Sequence, residues 1–159
     1  MTRRASGTTL VELHVPDLEL AVRFYGRLGF RVVRHEPPRD DDGYLVLRQG
    51  DAILCFWGGT AAVRRHEYFQ RFTRTAKRGY AVEIVLPVAN VSRAYAVAKR
   101  VRCVVADLRL RPWGARDFRI EDPFGFYVRI TERHDVLAEG PHAARRPAPA
   151  PRARAPRRR

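Results

Sequence analysis

The chain has 159 residues, of which 45% are hydrophobic and 30% charged. This is the profile of a soluble globular protein large enough to bury its own core, which excludes a wholly disordered chain. The longest uncharged run, residues 52–63, is too short and too glycine-rich for a membrane span, and the net charge of +14 favours anionic over cationic ligands at long range.

Residues 1–8 read as an N-terminal extension, and Met-Thr-Arg-Arg-Ala-Ser-Gly lacks the apolar core of a signal peptide. Val11, Leu13 and Val15 alternate as a strand. Asp17 then caps a helix whose apolar face is Leu18, Ala21, Val22 and Tyr25, and Gly29 ends it. Further strands are predicted over 30–34, 44–48 and 52–57, the last two joined by Gln49-Gly50-Asp51. Residues 58–79 form a linker, with a short helix predicted around 63–73.

The pattern recurs at an offset of 73. Ile84, Leu86 and Val88 alternate, Asn90 caps, and Val91, Ala94, Tyr95 and Ala98 lie on one helical face. Strands follow over 103–107, 117–121 and 125–130, with Asp122-Pro123-Phe124-Gly125 as the final turn. The expected fold class is therefore α+β. Two βαβββ modules, 9–57 and 80–135, form curled mixed sheets around a cleft and are covered outside by helices. Residues 136–159 are expected to be a disordered tail: from residue 141 it holds seven Arg, five Pro, six Ala and one His, with nothing to bury. Such a polycation could associate with nucleic acid, but no aromatic is interleaved for base stacking, and a solvated extension is the favoured reading.

The stretch Val15-Pro-Asp-Leu-Glu-Leu-Ala-Val-Arg-Phe-Tyr-Gly-Arg-Leu-Gly-Phe30 resembles the opening of the vicinal-oxygen-chelate superfamily, which includes glyoxalase I, extradiol dioxygenases, and fosfomycin- and bleomycin-resistance proteins. Pro112-Trp113-Gly114 and Asp122-Pro-Phe-Gly125 are similar to the ending of the bleomycin-resistance branch. The resemblance covers about residues 9–132 and is more specific for fold than for function. It implies a homodimer, often with exchange of an N-terminal strand. In the enzymes of the family it also implies a divalent metal held from the first and last strands of each module.

At the 73-residue offset those four positions are Leu10, Phe56, Glu83 and Arg129. Only Glu83 can ligate, and an arginine repels a cation. No metal, cofactor or catalytic residue is therefore expected. Glu83 and Arg129 are expected to pair within about 6 Å where the metal would sit. Glu12 and His14 share a strand face and read as polar residues near solvent. His35 reads as a loop residue and His66 as part of a solvated helix face, with His134 and His142 at the frayed end. Cys55 and Cys103 read as inert, reduced thiols of a cytoplasmic protein.

The ligand-binding candidates are Trp113, which lines the drug cleft in the branch it resembles, with Phe56, Tyr44, Trp57, Glu83 and Arg129. Their flat rings suit planar heteroaromatic ligands. The expected function is metal-independent binding of a small aromatic or glycopeptide-like molecule, with resistance by sequestration. A metal-dependent lyase, isomerase or dioxygenase is the alternative, and nucleic-acid association through the tail the third. The basic core argues against a cationic drug such as bleomycin. The one dense acidic cluster, Asp40-Asp41-Asp42, is placed near the cleft mouth.

Overall fold

Two side-chain caps start the two helices. The Asp17 carboxylate accepts the Leu20 N–H at 2.8 Å and opens α1 (Leu18–Arg27). Asn90 accepts the Arg93 N–H at 2.9 Å and opens α2 (Val91–Arg100). Each satisfies a backbone donor that has no partner within its helix. Gly29, at φ +98°, turns the chain out of α1. These elements belong to a computed structural model that describes residues 10–40 and 42–134. The N-terminal extension, Asp41 and the arginine-rich tail lie outside the described residues.

The first module contains β1 (Val11–Val15), β2 (Arg31–Arg39), β3 (Asp42–Gln49) and β4 (Ala52–Gly58) in the order β1-β4-β3-β2. The second contains β5 (Ile84–Val88), β6 (Val104–Leu110), β7 (Arg116–Glu121) and β8 (Tyr127–Glu132) in the order β5-β8-β7-β6. In each sheet the first and last strands of the module run parallel and the other pairs antiparallel. The α+β architecture of two four-stranded mixed sheets is thus the expected one, and each sheet remains open.

Two elements differ from the sequence expectation. β2 continues through His35-Glu36-Pro37-Pro38, so His35 is a strand residue. The prolines are tolerated because β2 is an edge strand, and the ladder is already irregular between Glu36 and Arg39. The linker's helical content is 3₁₀ and not one continuous α-helix over 63–73. The chain makes two 3₁₀ turns there, at Ala61–Arg65 and Phe69–Arg71, and only Val63 in them is buried. A segment with so little apolar face cannot offset the cost of nucleating an α-helix.

Side chains from one face of each sheet meet the helices in a single apolar cluster, with Leu13, Leu54 and Phe56 from the first sheet and Leu86, Phe118 and Ile130 from the second. Inside it the Tyr25 hydroxyl donates to Asp122 Oδ2 at 2.8 Å, joining α1 of one module to the last turn of the other. Asp122 Oδ1 accepts the N–H groups of Phe124 and Phe126. Burial, then the Asp122 charge, push the Tyr25 phenol well above its usual range, so it remains a donor.

The registers correct the 73-residue offset at one place. Glu12 pairs with Cys55 and Leu13 with Phe56, whereas Val85 pairs with Arg129 and Leu86 with Ile130. The offset is 73 for the first strands and 74 for the last. Four residues separate Arg48 from its partner Ile53, and five separate Glu121 from its partner Tyr127. One extra turn residue exchanges the two faces of a strand. The counterpart of Arg129 is therefore Cys55, and that of Phe56 is the buried Ile130.

Tyr25→Phe should lower unfolding stability by about 1–3 kcal/mol, because the buried Asp122 Oδ2 loses its donor. Urea denaturation of the full-length protein checks this, and a change below experimental error would show that the bond contributes nothing net.

Candidate functional site

The faces of the two sheets turned away from the apolar cluster carry the candidate residues, and they form two groups. On the second sheet, alternation along β7 and β8 puts Asp117, Arg119 and Arg129 on one face. Arg119 Nε donates to Glu83 Oε1 at 3.1 Å, and Arg129 Nε lies 3.5 Å from Glu83 Oε2. The expected Glu83–Arg129 pair is present, but Glu83 also serves Arg119. Asp117 is fully buried, and its Oδ1 receives both Arg119 and Arg111, the latter at 2.6 Å. Trp113 stands in the turn closed by Gly114 N–H to the Arg111 carbonyl. It is 39% exposed, and its ring centroid lies 5.5 Å from Arg129 Cζ, within cation–π range. Trp113, Glu83 and Arg129 are thus brought together.

Tyr44 and Trp57 lie on the other sheet as cross-strand partners. A hydrogen bond with Cys55, burial and the nearby Glu12 push the Tyr44 phenol far above its usual range. Arg34 lies 5.3 Å from the Tyr44 ring. Trp57 packs on His14 at 4.8 Å, and His14 also meets His66 and Phe69, each at 5.0 Å. His14 and His66 are therefore members of an aromatic cluster and not solvated strand-end or helix-face residues. Phe56 belongs to neither group. It is fully buried and packs on Tyr25 at 5.5 Å, because the register turns it inward. It is a core residue, which corrects its place among the ligand-binding candidates.

A divalent metal does not fit the residues present. The corrected four positions are Leu10, Cys55, Glu83 and Arg129: one aliphatic, one thiol, one carboxylate already shared by two arginines, and a permanent cation. Among the described residues no three His, Cys, Asp or Glu converge as ligands. Cys103 has its thiol pushed up by burial and donates to the Ala98 carbonyl at 3.6 Å, consistent with an inert side chain.

The sequence reading missed Asp117, Arg111 and Arg119. The signal available was the charged alternation Asp117, Arg119, Glu121, which marks one polar face of β7. It missed the His14 cluster because two of its four rings, His66 and Phe69, come from the linker.

The chain matches the model of the Glyoxalase/Bleomycin resistance protein/Dioxygenase superfamily over residues 8–130. It belongs to that superfamily. No curated protein sequence matches it. Among solved structures it is similar to a bleomycin resistance determinant encoded on the transposon Tn5, at 20% identity and a TM-score of 0.56, covering 82% of this chain and all of the other. It is similar to TioX from Micromonospora sp. ML1 at 20% identity and a TM-score of 0.58, covering 82% and 99%. A bleomycin-binding protein complexed with bleomycin matches at 20% identity and a TM-score of 0.52, covering 81% and 100%. At these identities the structures share the fold. No helix among the described residues is long and apolar enough to cross a membrane.

Asp117→Asn should destabilise the protein by about 2–3 kcal/mol, because two arginines lose a charged acceptor; denaturant unfolding at neutral pH checks it. His14 provides a pH test. Burial lowers its pKa below 6.5, His66 and Arg78 add to this, and Glu12 opposes it. The folded state binds the proton less well than the unfolded chain, so stability falls as pH drops below 6.5 toward the folded value. An NMR titration of the ring should give a midpoint below 6.5, lowered further in Glu12→Gln; a midpoint at or above 6.5 would contradict the assignment.

Proposed function

We propose that the protein binds a small aromatic, antibiotic-like molecule without a metal, using the polar face of the second sheet, and acts by sequestration in the cytoplasm. The observation that carries this reading is Arg129. Its guanidinium stands beside Glu83 and under Trp113, at a position the enzymes of the superfamily give to a metal ligand. A half-exposed indole over a fixed cation offers a flat surface for stacking, and Glu83 and Arg119 offer polar contacts at its edge. Sequestration needs affinity and no chemistry, so a cleft without metal donors suffices. Membership of the superfamily and the neighbour bound to bleomycin support a small-molecule cleft.

The same reading includes a homodimer. Each sheet buries one face against the helices and leaves the other open, so a second copy could complete a cleft with Tyr44 and Trp57 facing Trp113. The excess of arginine on this face favours a neutral or anionic ligand over a cationic one.

The test is a tryptophan fluorescence titration of the full-length protein with metal-free and copper-loaded bleomycin, at about 150 mM salt to screen long-range charge. Saturable quenching at one drug per subunit, weakened about tenfold or more by Trp113→Ala, would establish sequestration on this face despite its positive charge. Quenching untouched by that substitution would move the ligand off this face. No response up to about 50 μM would exclude bleomycin at useful affinity.

A further inference from the structure

A cavity whose lining does not include Trp113 lies between β1 and the linker. It has a volume of about 860 Å³ and is walled by Arg64, Arg65, Arg74, Lys77 and Arg78. Among the described residues lining it, Glu12 is the sole carboxylate, and Glu12 is engaged by His14 Nε2 at 3.4 Å. The same walls carry Phe69, Phe72, Tyr80 and Phe126, and the first three are 39%, 51% and 86% exposed. His14 Nδ1, at the floor, is buried with no hydrogen-bond partner among the described residues. Surface aromatics this exposed are usually turned inward or covered. Here they stand around Arg64, Arg74, Lys77 and Arg78, which outnumber the one carboxylate among the described lining residues.

Arg78 shows how the cluster is held. Its guanidinium donates to the His14 carbonyl and stands 5.9 Å from the Phe126 ring, which fixes the side chain across the floor. Burial and then repulsion from Arg64 lower its affinity for a proton. An anion entering the cavity would relieve that repulsion, and the planar arginine fork matches a carboxylate or phosphate in two-point contact. The aromatics fit a ring on the same ligand, by stacking and by edge contacts.

We propose that this cavity is a binding site for an aromatic organic anion, a planar ring system bearing a carboxylate or a phosphate, and that Arg74, Lys77 and Arg78 receive the anionic group. The cavity adjoins the Tyr44–Trp57 side of the first sheet, since His14 packs on Trp57, and among the described residues it shares no lining residue with the Trp113 side of the same chain.

Isothermal titration of the full-length protein with naphthalene-2-carboxylate, 2-naphthyl phosphate and 2-naphthylmethylammonium, at about 150 mM salt, tests it. The carboxylate and phosphate probes separate the two anionic groups; saturable binding of at least one of them, at one site per chain, is expected. The ammonium probe should bind at least about tenfold more weakly. Arg78→Gln should weaken the bound anion about tenfold. Because Arg78 also holds the His14 carbonyl, Arg74→Gln is the second variant; it leaves that bond intact and should weaken binding in the same direction. The proposal is overturned if neither anion binds up to about 2 mM, if the ammonium probe binds as well as the anions, or if both arginine variants bind like the parent. A single-stranded oligonucleotide that binds with the arginine-variant pattern where the naphthyl anions do not would also overturn it.

Discussion

The hydrogen bond between Tyr25 and Asp122 connects nearly everything else in the molecule. Tyr25 is the buried end of the apolar face of α1, and Asp122 is the first residue of the turn before β8. One carboxylate holds the turn through Phe124 and Phe126 and holds the other module through the tyrosine. A carboxylate this deep is costly unless its oxygens are satisfied, and all three donors are in place. Burial pulls Asp122 toward its neutral form, and the three donors work against that pull. The turn then determines which β8 side chains face outward. Its extra residue places Arg129 beside Glu83 and sends Ile130 inward. The join between the modules and the chemistry of the open face thus rest on the same few residues.

On that face the charges are arranged as a chain. Arg111 and Arg119 converge on Asp117, Arg119 reaches Glu83, and Glu83 reaches Arg129, which lies against Trp113. Three cations to two carboxylates leave an excess of one positive charge. Each arginine is therefore largely compensated within the protein and serves to position its neighbours. The guanidinium under Trp113 is pre-oriented, so a stacked ligand would not have to order it.

Much of this was legible in the sequence, and the losses have specific causes. Strand alternation at Val11–Val15 and Ile84–Val88, the Asp17 and Asn90 caps and the Asp-Pro-Phe-Gly turn are local signals, and they yield the paired modules directly. The Glu83–Arg129 pair was also reachable, because Glu83 precedes β5 and the turn fixes Arg129. Phe56 was misplaced because a constant offset cannot register one inserted residue, and in a strand one residue is the difference between core and cleft. Tyr44, Trp57 and Trp113 are where residue type suggests they should be, outside the apolar cluster. The aromatic cluster around His14 was invisible because it joins β1, β4 and two positions in the linker, whose 3₁₀ turns have no periodic signature.

The linker also changes what the basic composition means. Read as a whole, a net charge of +14 says only that anions are favoured at a distance. The structure divides that charge by its surroundings. Arginines on the second sheet are tied to Asp117 and Glu83, and they can do little for a ligand's charge without giving up those bonds. Around the linker cavity the balance is different: among the described lining residues Arg64, Arg74, Lys77 and Arg78 face one carboxylate, Glu12. A ligand's anionic group has more to gain there than on the sheet, while a flat ring has a better platform at Trp113. Charge and stacking are thus separated between two places in one chain. Total charge is therefore a poor guide to what the Trp113 face accepts: the polarity of its ligand depends on the one uncompensated cation there and not on the fourteen of the whole protein.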